Sequence, residues 1–113
     1  MKKLLTLLVV PALLAPALSV AANRFEEKDF KLDPYLEHYK RIVIAGVNKI
    51  ARERPECANS LDPKSLEHYG GTPDDPEFQV TCGEGEHAVH PRFTKTDVTG
   101  DPASDIPLDE QTN

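Results

Sequence analysis

The chain has 113 residues, 13 Lys and Arg against 19 Asp and Glu, no Trp and 10 Pro. That leaves room for one small domain with a thin core, and excludes a large enzyme fold, a transporter and an outer-membrane barrel. With Lys2 and Lys3 set aside in an export signal, 11 bases face 19 acids, a formal −8, which excludes nucleic acid as a partner because phosphate neutralisation needs a basic footprint.

Residues 1–22 have the three parts of a secretory signal. Lys2 and Lys3 form a short positive region of bacterial style. Leu4 to Leu14 form an apolar run broken by Thr6 and Pro11, and Ser19-Val20-Ala21 or Val20-Ala21-Ala22 offers a small-x-small cleavage site. A spanning helix needs roughly 20 apolar residues without interior prolines, so the run predicts cleavage rather than an anchor. No Cys follows it to carry a lipid. The mature chain is expected to be soluble in the periplasm or outside the cell, with no membrane attachment.

Residues 23–32 read as a charged lead-in with Phe25 and Phe30 as its large apolar groups. Asp33-Pro34 then supplies an N-cap carboxylate and a proline at the first helical position. From Tyr35 to about Glu53, Tyr35, Leu36, Tyr39, Ile42, Val43, Gly46, Val47 and Ile50 fall within one arc of roughly 140° at helical period. Arg54-Pro55 ends the helix, because the residue before proline avoids the helical region. Gly46 costs about 1 kcal/mol against Ala in mid-helix and marks a close approach to a sheet. On the opposite face His38, Arg41, Lys49 and Arg52 form a basic ridge alongside Ala45. Such a ridge is either a solvated outer face or a docking face for an acidic partner or for the chain's own acidic tail.

Pro55 to Lys64 is a connection carrying Cys57. Ser65 to Tyr69 reads as a short strand anchored by Leu66, Gly70 to Pro76 as a turn, and Phe78 to Cys82 as a half-buried alternating strand. Gly83 to Glu86 is a hairpin turn. His87 to Phe93 is the return strand, placed at a sheet edge by Pro91. Cys57 and Cys82 are the only cysteines, and in an exported chain they read as a disulfide. The loop they close, about 25 residues, gives roughly 3.5 kcal/mol in the chain-entropy model. No Cys-x-x-Cys is present to suggest a redox role. From residue 98 onward the chain is acidic, Pro-containing and poor in apolar residues, the composition of a disordered tail. The expected fold is α+β: one amphipathic helix on a short two- or three-stranded antiparallel sheet, one disulfide, and a disordered acidic C-terminal tail. The expected division is 1–22 signal, 23–32 lead-in, 33–97 folded module and 98–113 tail.

The segments Asp62-Pro63-Lys64-Ser65, Gly71-Thr72-Pro73-Asp74-Asp75-Pro76 and Phe78-Gln79-Val80-Thr81-Cys82-Gly83 resemble a stretch of small exported or membrane-tethered bacterial proteins of no assigned function. The resemblance spans about residues 48–98. It implies a compact disulfide module and brings neither catalytic residues nor a ligand.

Four histidines, His38, His68, His87 and His90, are candidates for a transition-metal site. The best set is His87 and His90 with Glu84 or Glu86. On a strand, however, i and i+3 side chains point to opposite faces, so no tight site is expected. Asp74-Asp75 lies in a turn, where carboxylates cap backbone amides. Ser60, Ser65 and Ser104 lack a nucleophile motif, and neither a phosphate loop nor a nucleotide fingerprint is present. No cofactor and no catalysis are expected. The sequence points to a non-catalytic exported binding protein of accessory, inhibitor or immunity type, with an acidic protein as partner. The alternative is weak metal binding or a metal-stress role through the surface histidines.

Overall fold

The computed structural model describes residues 24–111, so the expected signal and its cleavage positions lie outside the described residues. Helix α1 spans Pro34–His38. Its N-cap Asp33 accepts the Leu36 N–H at 2.8 Å, and Pro34 occupies the first helical position, as the sequence requires. The single helix expected over 35–53 is two segments. Tyr39 (φ −105°, ψ 22°) interrupts it, and α2 spans Lys40–Glu53. The Tyr39 ring lies 5.3 Å from that of Tyr35 and 5.8 Å from that of Phe78, so the joint is itself a packing contact. Arg54 is extended ahead of Pro55 (φ −111°, ψ 110°) and closes α2.

Three antiparallel strands follow, in the order β1-β2-β3. β1 is Leu61–Thr72, β2 is Asp75–Cys82 and β3 is Arg92–Thr94. β1 is longer than the expected 65–69, because side chains bridge its irregular part. In the bulge between Asp62 and Glu67, Ser65 Oγ accepts the Thr81 N–H at 2.8 Å and donates to the Asp62 carbonyl at 2.6 Å. A hydroxyl thus stands in for a ladder carbonyl. The turn expected over 70–76 contracts to Pro73-Asp74, with Thr72 paired to Asp75 and Gly71 to Pro76. Gly71 has φ +84°, and a Cβ there would lie 2.5 Å from the Asp75 carbonyl oxygen, so only glycine fits. The return strand is shorter than the expected 87–93. Gly85–His87 forms a 3-10 turn, and Val89 makes only an isolated bridge to Cys82 before β3 begins. Pro91 has no N–H to extend the ladder, although its carbonyl accepts from Val80 at 3.1 Å.

β2 alternates along its length: Pro76, Phe78, Val80 and Cys82 are buried between half-exposed neighbours. The buried stripe of α2, Ile42, Val43, Val47 and Ile50, joins them and Leu36, Leu61, Leu66 and Phe93 in one core. A Cβ at Gly46 would overlap three carbons of the Phe93 ring, which is the close helix–sheet approach the sequence marks. Tyr35, placed by periodicity on the apolar arc, stands at the rim, 38 % exposed and stacked on His68 at 4.3 Å. Cys57, in the 3-10 turn Pro55–Cys57 after α2, is bonded to Cys82 at the end of the central strand, and both are buried.

The expected outer divisions do not hold. In the lead-in, Phe30 is part of the core. Buried Asn48 of α2 holds Phe25 by both backbone groups, accepting its N–H at 2.8 Å and donating to its carbonyl at 3.0 Å. At the other end the expected 97/98 boundary falls inside helix α3, Lys95–Thr99. The tail expected to be disordered is laid on the module as far as residue 111, ending in α4, Leu108–Gln111. Val98, Thr99 and Pro107 are buried. α3 is framed by a capping box, in which Thr94 Oγ1 accepts the Asp97 N–H at 3.0 Å and Asp97 accepts the Thr94 N–H at 2.8 Å. Gly100 at φ +81° closes it. Low apolar content suggested disorder, but local caps and a few well-placed apolar groups are enough to order the segment.

Candidate functional site: a basic helix face under an acidic segment

The four ridge residues sit where periodicity places them, on the side of α1 and α2 away from the core, and three of the four share one neighbour, the C-terminal segment. Arg41 of α2 pairs with Glu110. Arg52, about three turns further on, has its Nη2 3.6 Å from Asp109 Oδ2. His38 is exposed at the end of α1 and faces Asp105 closely enough to favour its charged form. Lys49 is the exception, pairing along its own helix with Glu53 at 3.3 Å. A cation not foreseen in the sequence completes the set. Lys95 of α3 is nearly buried, and its Nζ lies 2.9 Å from Asp105 Oδ1.

Residues 105–110 therefore bridge two helices through their carboxylates, with Pro107 buried among them, and hydrogen bonds fix the chain on either side of the segment. Thr99 Oγ1 donates to the Asp101 carbonyl at 2.7 Å, and Gln111 Nε2 donates to the Thr99 carbonyl at 2.9 Å. The Lys95 ammonium, by hydrogen bond first and by charge second, holds the Asp105 carboxyl below the usual carboxylate range. The pairs to α2 are open to solvent: the side chains of Arg41 and Glu110 are 58 % and 46 % exposed. Pairs of this kind contribute about 0.2–1 kcal/mol each, so the segment is held by several weak contacts. A cleft of about 260 Å³ remains between Asp105 and the α1–α2 joint, with His38 and Arg41 on its wall.

The metal candidates are placed differently from the expectation. His87 lies in the exposed 3-10 turn and not on a strand. His90 has its Nδ1 3.1 Å from Thr81 Oγ1 on the outer sheet face. Glu84 and Glu86 are exposed. Among the described residues no group of three or more His, Cys, Asp or Glu is gathered to hold an ion. The polar groups of residues 62–65 and 71–76 serve the fold. Asp62 accepts the Lys64 N–H at 3.0 Å, Thr72 accepts the Asp75 N–H at 3.1 Å, and Asp75 accepts the Thr96 N–H at 2.8 Å, tying the hairpin to the start of α3.

Lys95, Asp105, Asp109 and Glu110 are the site residues that composition hides. The sequence signal that would expose them is Thr94-x-x-Asp97 followed by Gly100, a helix start and stop inside the supposed tail. Compared with family models, with curated proteins and with solved structures, the chain matches none.

Proposed function

We propose that this chain is a small exported, non-catalytic protein-binding protein of accessory, inhibitor or immunity type, whose basic helix face docks an acidic segment of another protein. One observation carries the reading: that face already holds a run of carboxylates, with Arg41 on Glu110, Arg52 near Asp109 and Lys95 on Asp105. Export to an oxidising compartment, the periplasm or beyond, is supported by the signal-like residues 1–22 and by the Cys57–Cys82 bond. Among the described residues no helix is long and apolar enough to cross a membrane. The absence of catalysis is supported by the polar groups themselves, since the carboxylate of Asp75, the hydroxyl of Ser65 and the ring of His90 are engaged in holding backbone or neighbours.

The test places a photo-crosslinking residue at Lys49, the ridge position that pairs along its own helix, and as a control at Gln79 on the outer face of the sheet. The Lys49 position is expected to capture one exported protein in living cells, with the yield lost in Arg41→Ser/Arg52→Ser, because rim charges steer association. Absence of an adduct at Lys49, or an adduct indifferent to the two substitutions, overturns the reading.

A further inference from the structure

The carboxylates on the basic face belong to the chain itself, and their arrangement specifies what else fits there. Arg41 and Arg52 are eleven residues apart on α2, about 16 Å along the axis, yet their guanidinium groups converge on adjacent residues, Glu110 and Asp109. The third cation, Lys95, takes the carboxylate four residues earlier, Asp105. The face therefore reads the pattern acid-x-x-x-acid-acid, with an Arg pair on the dyad and a Lys on the leading acid.

The segment that supplies this pattern is built to be exchanged. Its contacts with α2 are solvent-open ion pairs, and its large apolar side chains, Ile106 and Leu108, are 43 % and 47 % exposed. Pro107 is its one buried side chain between Asp105 and Gln111. It leaves α3 at Gly100, in a backbone conformation that glycine adopts without strain, and turns over Asp101–Ser104.

We infer that residues 105–111 are an internal pseudo-ligand, which covers the docking face until an acidic segment of the partner, presenting the same acid-x-x-x-acid-acid spacing, displaces it. The inference rests on the proposed docking function and adds its regulation and the chemistry of its partner. The internal segment competes at high effective concentration, so only a partner segment that matches all three cations is retained.

The probe is a fluorescent peptide of the chain's own residues 103–113, Ala-Ser-Asp-Ile-Pro-Leu-Asp-Glu-Gln-Thr-Asn, added to the full mature chain. Two proteins are compared, wild type and Asp105→Asn/Asp109→Asn/Glu110→Gln. The replaced side chains are exposed by 79 %, 65 % and 46 %, so the fold is retained, and circular dichroism checks it. The neutralised variant is expected to bind the peptide roughly tenfold more tightly than wild type, the scale of two exposed ion pairs and one partly buried pair released together. Adding Arg41→Ser/Arg52→Ser to the variant is expected to abolish binding. A peptide of the same composition with its two adjacent acids moved apart is expected to bind several-fold more weakly. Equal affinity of wild type and variant overturns the covering role and leaves the docking face standing. Failure of the variant to bind the peptide at all overturns both. Equal binding of the rearranged peptide overturns the spacing.

Discussion

Gly46→Ala is a substitution whose sign depends on the tertiary structure. In an exposed helix interior it is worth about 1 kcal/mol of added stability, through propensity alone. Here the new Cβ falls on the Phe93 ring. That ring is 5 % exposed and has the fully buried Phe78 behind it, with ring centroids 5.5 Å apart, so it has no free space to enter. Overpacking of a closed core costs about 1–3 kcal/mol. At the upper end, less the propensity gain, the net loss is about 2 kcal/mol, or roughly 10 °C in Tm for a domain of this size. The assay is urea denaturation of Gly46→Ala, Phe93→Leu and the double variant. Shortening Phe93 removes the overlap, so the double variant should be more stable than the two single losses predict, by a coupling of about 1–2 kcal/mol. If Gly46→Ala alone is as stable as wild type or more so, the close approach is wrong.

Replacing both cysteines by Ala is expected to lower stability by about 3.5 kcal/mol, from a closed loop of 25 residues; a loss below about 1 kcal/mol in a denaturant titration would contradict this. Asn48→Leu leaves the Phe25 N–H and carbonyl without their partner and should cost about 2 kcal/mol, with amide exchange at residues 25–30 accelerating first. The Asp105 carboxyl titrates below its unfolded value because Lys95 and, secondarily, His38 favour its charged form. Its contribution to docking the C-terminal segment is therefore complete above the ordinary carboxylate range and is lost as pH falls through the lowered folded value. The Asp105 side-chain NMR signal is expected to hold its charged-state position as pH falls to the ordinary Asp value and to move only below it; a midpoint at or above the ordinary Asp value would refute the Lys95 contact.

Much of the module is written locally. Asp33-Pro34 starts a helix and Arg54-Pro55 ends one, because a capping carboxylate and two fixed proline rings act over three or four residues. The α2 stripe and the alternation of Phe78, Val80 and Cys82 set the buried faces, since a thin core needs each of them. The two cysteines define their own pairing. The basic ridge is legible for the same reason, as a consequence of helical period. The break at Tyr39, the long irregular β1 and the shortened return strand were not legible. They depend on which neighbours a ring, a hydroxyl or a proline carbonyl meets across the sheet.

The ends of the chain show the division most clearly. Composition sets residues 23–32 apart as a charged lead-in and 98–113 as a disordered tail, because counting apolar residues measures how much surface a segment can bury and not where that surface lands. Folding gives each end specific partners: Asn48 for Phe25, the core for Phe30, and Arg41, Arg52 and Lys95 for Glu110, Asp109 and Asp105. The sequence by itself determined that a basic face and an acidic segment exist. Only the tertiary structure decided which residues pair, because ion pairs from α2 to residues more than fifty positions further on follow from the path of the chain, and that path is set by the core and by the caps of α3.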